Sequence, residues 1–165
     1  MKNSPTFFGI LAILLFLCIK AQSQNSNLSM ADQLHQGRDT IQLLYWDAYK
    51  DILACIRKDA VFDTVCYISL SNRFTKTSQF LFQYSKILRQ NEVPIWIDGK
   101  SYFLFVPFKT PSGEKMEEIA DKFEQAAANV LVCVNSRAAG DTCRLVGPTV
   151  SDAVNSLARS MGWLN

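Results

Sequence analysis

Apolar residues recur at spacings of three and four positions along four stretches of the chain, which is the pattern of amphipathic helices. The first stretch begins at Asp39, a suitable N-cap residue, and ends near Lys58. The second runs from Cys66 to Asn91. We expect residues 71–73 to bend or break this second helix, because Ser and Asn side chains compete for backbone hydrogen bonds.

The third stretch follows Thr110 and Pro111, with the proline at the first helical position, where its missing N–H is harmless. The fourth begins at Thr149, which with Asp152 three residues later resembles a capping box. The periodicity predicts that the following side chains are buried: Ile41, Leu44, Tyr45, Ala48, Ile52 and Cys55 or Ile56; Ile68, Leu70, Phe80, Leu81, Tyr84, Ile87 and Leu88; Met116, Ile119, Phe123, Ala126 or Ala127, Val130 and Cys133 or Val134; Val150, Ala153 or Val154, Leu157, Met161 and Leu164.

The spacing changes between the second and third helices. Residues 93–97 and 101–106 are rich in aromatic and β-branched side chains and flank Asp98-Gly99, which is typical of a β-hairpin turn. Both faces of the second strand are apolar. The hairpin therefore either packs across the helices or presents a binding surface. The candidate binding surface consists of Trp96, Tyr102, Phe103 and Phe105.

A cysteine-bounded corner occurs twice. Cys55 ends an apolar run and Asp63-Thr64-Val65 leads to Cys66, while Cys133 ends a second run and Asp141-Thr142 leads to Cys143. Pairing within each corner would fasten two helical hairpins, whereas the alternative joins one corner to the other. The predicted fold is mainly α, a four-helix bundle of two disulfide-stapled helical hairpins, with a β-hairpin in the crossover between the second and third helices.

The N-terminal 23 residues have the features of a secretory signal peptide. An apolar run from Phe7 to Ile19 is too short to cross a bilayer, and Ala21-Gln22-Ser23 resembles the small-residue cleavage site that follows such a run. We expect a signal peptide at 1–23, a flexible polar leader at 24–38 and a single helical domain at 39–165; a retained N-terminal anchor is the alternative. Asn27 begins a glycosylation sequon, and the predicted location is secreted and extracellular.

Charge and composition argue against several functional classes. Without residues 1–23, which hold Lys2 and Lys20, the 17 basic residues fall to 15 against 15 acidic ones. A neutral chain without a basic run offers nothing for nucleic acid, and no later segment is apolar enough for membrane insertion. The single histidine, His35, lies in the leader, so we expect no metal site, no cofactor and no enzymatic activity. Carboxylate pairs such as Asp47 with Asp51 fall on the polar helix face.

In its four helices, two disulfides, signal peptide and long crossover containing strands, the predicted architecture resembles that of the helical cytokines. The resemblance covers the helices only and carries no motif. The function we expect is binding to an as yet unknown extracellular protein in signalling, defence or a reproductive fluid. The alternative is a carrier that holds a small lipophilic molecule between the aromatic hairpin and the helices.

Overall fold

A computed structural model describes residues 30–56, 62–91, 95–97, 100–102, 111–136 and 143–164. These residues form four helices, so the prediction of a mainly α fold is confirmed. The helices are α1 (Met30–Cys55), α2 (Thr64–Asn91), α3 (Gly113–Asn135) and α4 (Val146–Ser160), and the strands between α2 and α3 are β1 (Ile95–Ile97) and β2 (Lys100–Tyr102).

Several predictions lie outside the described residues. They are the signal peptide at 1–23, the sequon at Asn27, and the side chains of Phe103, Phe105 and Asp141. The chain divides into two compact units, residues 1–35 and 36–165. Of the first unit the structure describes residues 30–35, all of which are helical.

The start of α1 corrects one prediction. The helix begins at Met30 rather than at Asp39, so residues 30–38 are helical. Gly37 is buried within this helix. A Cβ atom at this position would overlap the ring of Tyr84 on α2. The glycine is therefore the residue that lets α1 pass close to α2.

The predicted break in α2 is also wrong, because the helix is continuous from Thr64 to Asn91. The Ser71 hydroxyl donates to the carbonyl oxygen of Ala127 on α3 at 3.0 Å. The Thr77 hydroxyl donates back to the carbonyl of Arg73 at 2.9 Å. These hydroxyls thus find acceptors without disturbing the helix, and the first of them ties α2 to its neighbour.

The helix starts differ in part from the predictions. Asp63 caps α2, since its carboxylate accepts from the backbone N–H of Val65 at 2.9 Å. The cap of α3 is Ser112 rather than the Thr110-Pro111 pair, because its side chain accepts from the N–H of Lys115. Helix α4 begins at Val146, so Thr149 lies inside it and donates to the carbonyl of Leu145 at 2.7 Å.

Helices α2 and α3 are in close antiparallel contact along a row of small residues. On α2 the row consists of Ser71, Ser78 and Ser85, and on α3 of Gly113, Ala120 and Ala127, each set at intervals of seven. The contact at one end is the Ser71 to Ala127 hydrogen bond. At the other end a Cβ on Gly113 would lie 2.7 Å from the Ser85 carbonyl oxygen. We call this row the small-residue seam, and it fixes the register of the two helices.

Both disulfides join neighbours in sequence. Cys55 is bonded to Cys66 with a Cα–Cα distance of 5.6 Å, and Cys133 is bonded to Cys143 with a distance of 4.6 Å. This is the local pairing of the two alternatives. The register of the seam places the first turn of α2 beside the last turn of α3, so both disulfides lie at the same end of these helices.

Most of the predicted core is buried. The apolar stripe of α3 from Met116 to Cys133 is fully enclosed, and the Phe123 ring packs against Phe74 of α2 with centroids 4.9 Å apart. Phe74 was missed by the sequence analysis. Ile68 and Leu164 were predicted to be buried, but they are 40% and 42% exposed. Leu164 follows a turn at Gly162, whose φ of 73° carries the chain out of the helix.

The strands β1 and β2 pair antiparallel, with Ile95 opposite Tyr102, Trp96 opposite Ser101 and Ile97 opposite Lys100. Each strand has three residues, fewer than the sequence pattern suggested. The packing of this pair against the helices stays a prediction.

Candidate interaction surfaces

The structure places the predicted site residues only in part. Trp96 lies in β1 and Tyr102 in β2, where the backbone is described, while Phe103 and Phe105 fall outside the described residues. The carboxylates of Asp47 and Asp51 are brought together because both bind the same cationic side chain. Arg73 of α2 donates to Asp47 at 3.3 Å and to Asp51 at 3.0 Å. Such a bridge holds α1 against α2 and gives neither carboxylate the isolation that acid–base catalysis needs.

One exposed apolar surface lies on the outward face of α1. We call it the α1 stripe and define it as Leu43, Trp46, Tyr49 and Leu53. Leu43 is 68% exposed, Trp46 49% and Leu53 48%. At 100° per residue, Leu43, Trp46 and Leu53 point away from the buried stripe that contains Ile41, and Tyr49 lies at the edge of the exposed face. An outward helix face is normally polar, so the stripe is an unusual surface.

The aromatic residues of the stripe rest on a buried tyrosine. The ring of Tyr45 lies 5.3 Å from that of Trp46 and 5.2 Å from that of Trp163, which follows α4. Trp163 is fixed because its backbone N–H donates to the Ala158 carbonyl at 2.8 Å. Burial, and secondarily the neighbouring Tyr49, raise the pKa of Tyr45 above its ordinary value.

A second surface is a groove between α2 and α3. We call it the groove face, and it has an open volume of about 240 Å³. Ser78 and Ala120 of the seam lie at the bottom, and the half-exposed ring of Phe82 forms part of one wall. The groove is lined by Thr75, Ser78, Gln79, Phe82, Ala120, Asp121 and Glu124.

The apolar character of the groove face continues toward the disulfide end. Ile68 lies fourteen residues before Phe82 and therefore on the same side of α2. Leu131 lies seven residues after Glu124 on α3. Both side chains are partly exposed, so apolar groups recur along roughly 20 Å of this face.

The two walls of the groove face differ in charge. The α3 wall carries the exposed carboxylates Asp121 and Glu124. Glu117, one turn earlier, forms an ion pair with Arg89 and accepts a hydrogen bond from the Ser85 hydroxyl at 3.2 Å. On the α2 wall, the Lys86 ammonium lies 4.7 Å from the centre of the Phe82 ring. The groove thus combines an aromatic contact with an acidic edge.

Sequence analysis did not identify Leu43, Leu53 or Phe82 as surface residues. A signal for them exists in the chain. On α1 the apolar residues lie on two different faces of the helix, and only one of these faces can pack against the core. For Phe82 the position became informative only when the seam set which side of α2 faces α3.

Two other classes of site were sought among the described residues. In that part of the chain no three His, Cys, Asp or Glu side chains are grouped as metal ligands. Within the same residues, no helix is both long enough and apolar enough to cross a membrane.

Comparison of this chain with known protein families, with curated proteins and with solved structures yields no match in any of the three.

Proposed function

We propose that this chain is a secreted protein without enzymatic activity that acts by binding another extracellular protein. The observation that carries the proposal is the groove face, where the half-exposed Phe82 stands beside a floor of small side chains and an acidic wall. Aromatic residues that sit on a rigid helix pair lose little conformational freedom on binding, which favours them as contact residues.

The chemistry of the groove defines the partner segment. An apolar side chain of the partner would cover Phe82 and the seam residue Ala120, and a Lys or Arg would meet Asp121 and Glu124. The helical walls and the length of the face suit an amphipathic helix, laid along the groove. We therefore propose a partner helix that has apolar residues on one face and basic residues beside them.

The extracellular setting is supported by the two disulfides, which persist in oxidising compartments. We propose cleavage after Ser23 and a glycan on Asn27. N-terminal sequencing of the protein from its natural source tests the first, and a mass loss on enzymatic removal of N-glycans tests the second. Recovery of a chain that still contains Phe7 to Ile19 would contradict the proposed cleavage.

We also propose that the helices form two stapled hairpins, α1 with α2 and α3 with α4, which pack as one bundle through the seam, and that the β1–β2 hairpin lies across the helices. Supporting contacts are the two disulfides, the Arg73 bridge and the approach of Gly37 to Tyr84. Nuclear Overhauser contacts from the ring of Trp96 to helix side chains would test the position of the hairpin.

The groove gives no support to the carrier alternative. Small-molecule sites usually have volumes of roughly 300–1,000 Å³ and enclose most of the ligand. The groove is smaller, at about 240 Å³, and it is open to solvent. The site first considered for a lipophilic ligand, between the aromatic hairpin and the helices, involves side chains outside the described residues. That alternative stays a prediction, and displacement of a solvatochromic dye by fatty acids would test it.

The binding proposal is tested by comparing the wild-type chain with matched variants in extracellular fluid of the natural source. Cross-linking through Lys86, which adjoins the groove, should join the wild type to a specific protein. With that protein in purified form, Phe82→Ala should weaken binding by at least about tenfold, and Asp121→Lys should weaken it further.

The control is Leu43→Ala, which removes an exposed apolar side chain outside the groove and should leave the affinity unchanged. Equal affinity of wild type and Phe82→Ala, with both variants folded, would overturn the proposal. Cross-links that arise only from lysines remote from the groove would do the same.

A further inference from the structure

The α1 stripe has an internal symmetry that the groove face lacks. Leu43 and Leu53 lie five residues before and after Ala48, and Trp46 and Lys50 lie two residues before and after it. Ala48 itself is fully buried, so the symmetric residues are displayed on the opposite side of the helix. Read in either direction, the outward face presents the same order of leucine, a tryptophan–lysine pair and leucine.

We propose that the α1 stripe binds the α1 stripe of a second copy of this chain. The two helices are antiparallel, and the two-fold axis crosses the outward face of α1 at the level of Ala48. In an isologous contact of this kind, each pairing occurs twice. Leu43 of one copy faces Leu53 of the other, and Trp46 faces Lys50. The two leucines then have apolar partners and Trp46 has a cation–π partner, while Tyr49 faces Asp47 of the other copy.

The charges of α1 favour this register. Lys50 lies 3.9 Å from Asp47, and since the Lys50 side chain is largely in solvent and that of Asp47 is half-exposed, this ion pair is weak. Asp47 is also engaged by Arg73 at 3.3 Å. The Lys50 ammonium is therefore available to lie over a tryptophan ring of the second copy. A register shifted by one turn would instead place Leu53 opposite the exposed carboxylate of Asp39.

The size of the contact sets its strength. From Leu43 to Leu53 the stripe spans about 15 Å, or three turns of one helix. A pair of such stripes falls at the small end of specific protein interfaces, below about 1,200 Å² in total. The dimer should accordingly form and dissociate with concentration in the micromolar range rather than being permanent.

The α1 stripe and the groove face lie on different helices, so the second-copy proposal does not depend on the proposed partner. Sedimentation equilibrium of the signal-free, disulfide-bonded chain should show a reversible monomer–dimer equilibrium. Trp46→Ala should raise the dissociation constant by at least about tenfold, and Lys50→Glu should raise it several-fold.

The control variant is Leu145→Ala, which removes an exposed leucine outside the stripe and should leave the equilibrium unchanged. Circular dichroism and thermal melting identify any variant that has lost its fold. A wild-type chain that remains monomeric at the highest attainable concentration overturns the proposal, and so does an equal effect of Leu145→Ala and Trp46→Ala.

The orientation has its own test. A short bismaleimide should link Leu43→Cys to Leu53→Cys when the two variants are mixed, with the native disulfides intact. Neither variant alone should be linked efficiently. Efficient linking of Leu43→Cys to itself would mean a parallel arrangement and would overturn the two-fold antiparallel contact.

Discussion

The two exposed surfaces of this protein differ in how their residues are arranged. The α1 stripe lies on one helix, where Leu43 with Leu53 and Trp46 with Lys50 are placed symmetrically about Ala48. The groove face lies between two helices and has an aromatic residue on one wall and carboxylates on the other. A symmetric surface is its own complement, whereas an asymmetric one needs a partner of different chemistry. The difference assigns self-association to one surface and a foreign partner to the other.

The two surfaces are also supported differently. The α1 stripe is held to the rest of the molecule by the Cys55–Cys66 disulfide, the Arg73 bridge and the packing of Tyr45 on Trp163. The groove face is formed directly by the seam, where Ser78 and Ala120 bring the backbones of α2 and α3 close together. Changes to these separate supports should therefore affect one surface and spare the other.

The largest expected effect comes from removing a disulfide. Cys55→Ser with Cys66→Ser should lower the free energy of unfolding by about 3 kcal/mol, and so should Cys133→Ser with Cys143→Ser. Only the first pair should also weaken the dimer, because it frees the last turn of α1, which contains Leu53. Urea unfolding and sedimentation measure the two effects. Equal loss of dimer in both double variants would contradict the separate support of the stripe.

Widening the seam should have the next largest effect. Ala120→Leu places a large side chain where α2 and α3 are in contact, and we expect a loss of about 2 kcal/mol in unfolding free energy. Partner binding at the groove should fall while dimerisation persists. Ala128→Leu, at an exposed position of the same helix, is the matched control and should change stability by less than about 0.5 kcal/mol. If dimerisation falls along with partner binding, the two surfaces are coupled.

Removing the cation between α1 and α2 should have a smaller effect. Arg73→Met leaves Asp47 and Asp51 without their partner, and since all three side chains are partly solvated, the expected loss is at most about 1 kcal/mol. The released Asp47 would then hold Lys50 more firmly and weaken the dimer slightly. Lys76→Met, at an exposed position of α2, is the control for loss of a positive charge. A stronger dimer in Arg73→Met would argue against the role given to Lys50.

Salt should distinguish the two surfaces without any mutation. Binding at the groove depends on the carboxylates Asp121 and Glu124, so it should weaken as sodium chloride is raised toward about 1 M, where screening acts over roughly 3 Å. The dimer depends mainly on apolar contact and should change little. Isothermal titration and sedimentation in the same buffers give both values. A dimer that dissociates with added salt would mean that ion pairs dominate the α1 contact.

The smallest expected effect is a loss of stability at acidic pH. The hydrogen bond and charge of Lys122 hold the pKa of Asp152 below its ordinary value, and this pair links α3 to α4. Its stabilisation is present above the ordinary carboxyl pKa and is lost as the pH falls through the lower folded-state pKa. In Lys122→Met, the pKa of Asp152 measured by NMR should rise toward the ordinary value. Neither surface should respond, since the pair lies on neither.

The sequence predicted the core of the bundle better than its edges. The α3 stripe from Met116 to Cys133 was identified because a fully enclosed face gives an uninterrupted periodicity. The break expected near Ser71 did not occur, because the hydroxyl found its acceptor on another helix. The start of α1 at Met30 was missed since the role of Gly37 depends on Tyr84, far away in the chain. Contacts between distant residues decided each of these differences.

The surfaces were predictable only in part for the same reason. Phe82 was not among the side chains predicted to be buried, but its place on a wall of the groove became clear only once the seam determined which side of α2 is covered. The serines and small residues at intervals of seven are visible in the chain, but each row has meaning only beside the other. A search for matching rows of small residues on successive predicted helices would have found the seam, and with it the groove.

Both disulfides lie at one end of the α2–α3 pair, and this has a consequence for motion. At the stapled end each corner is closed covalently, while the opposite end, where α2 finishes at Asn91 and α3 begins at Gly113, is held by packing and by the Arg89–Glu117 ion pair. Local opening should begin at that end and stop at the staples. Amide exchange should accordingly slow along α2 from Arg89 toward Leu70, so that one helix carries a gradient of rigidity along its length.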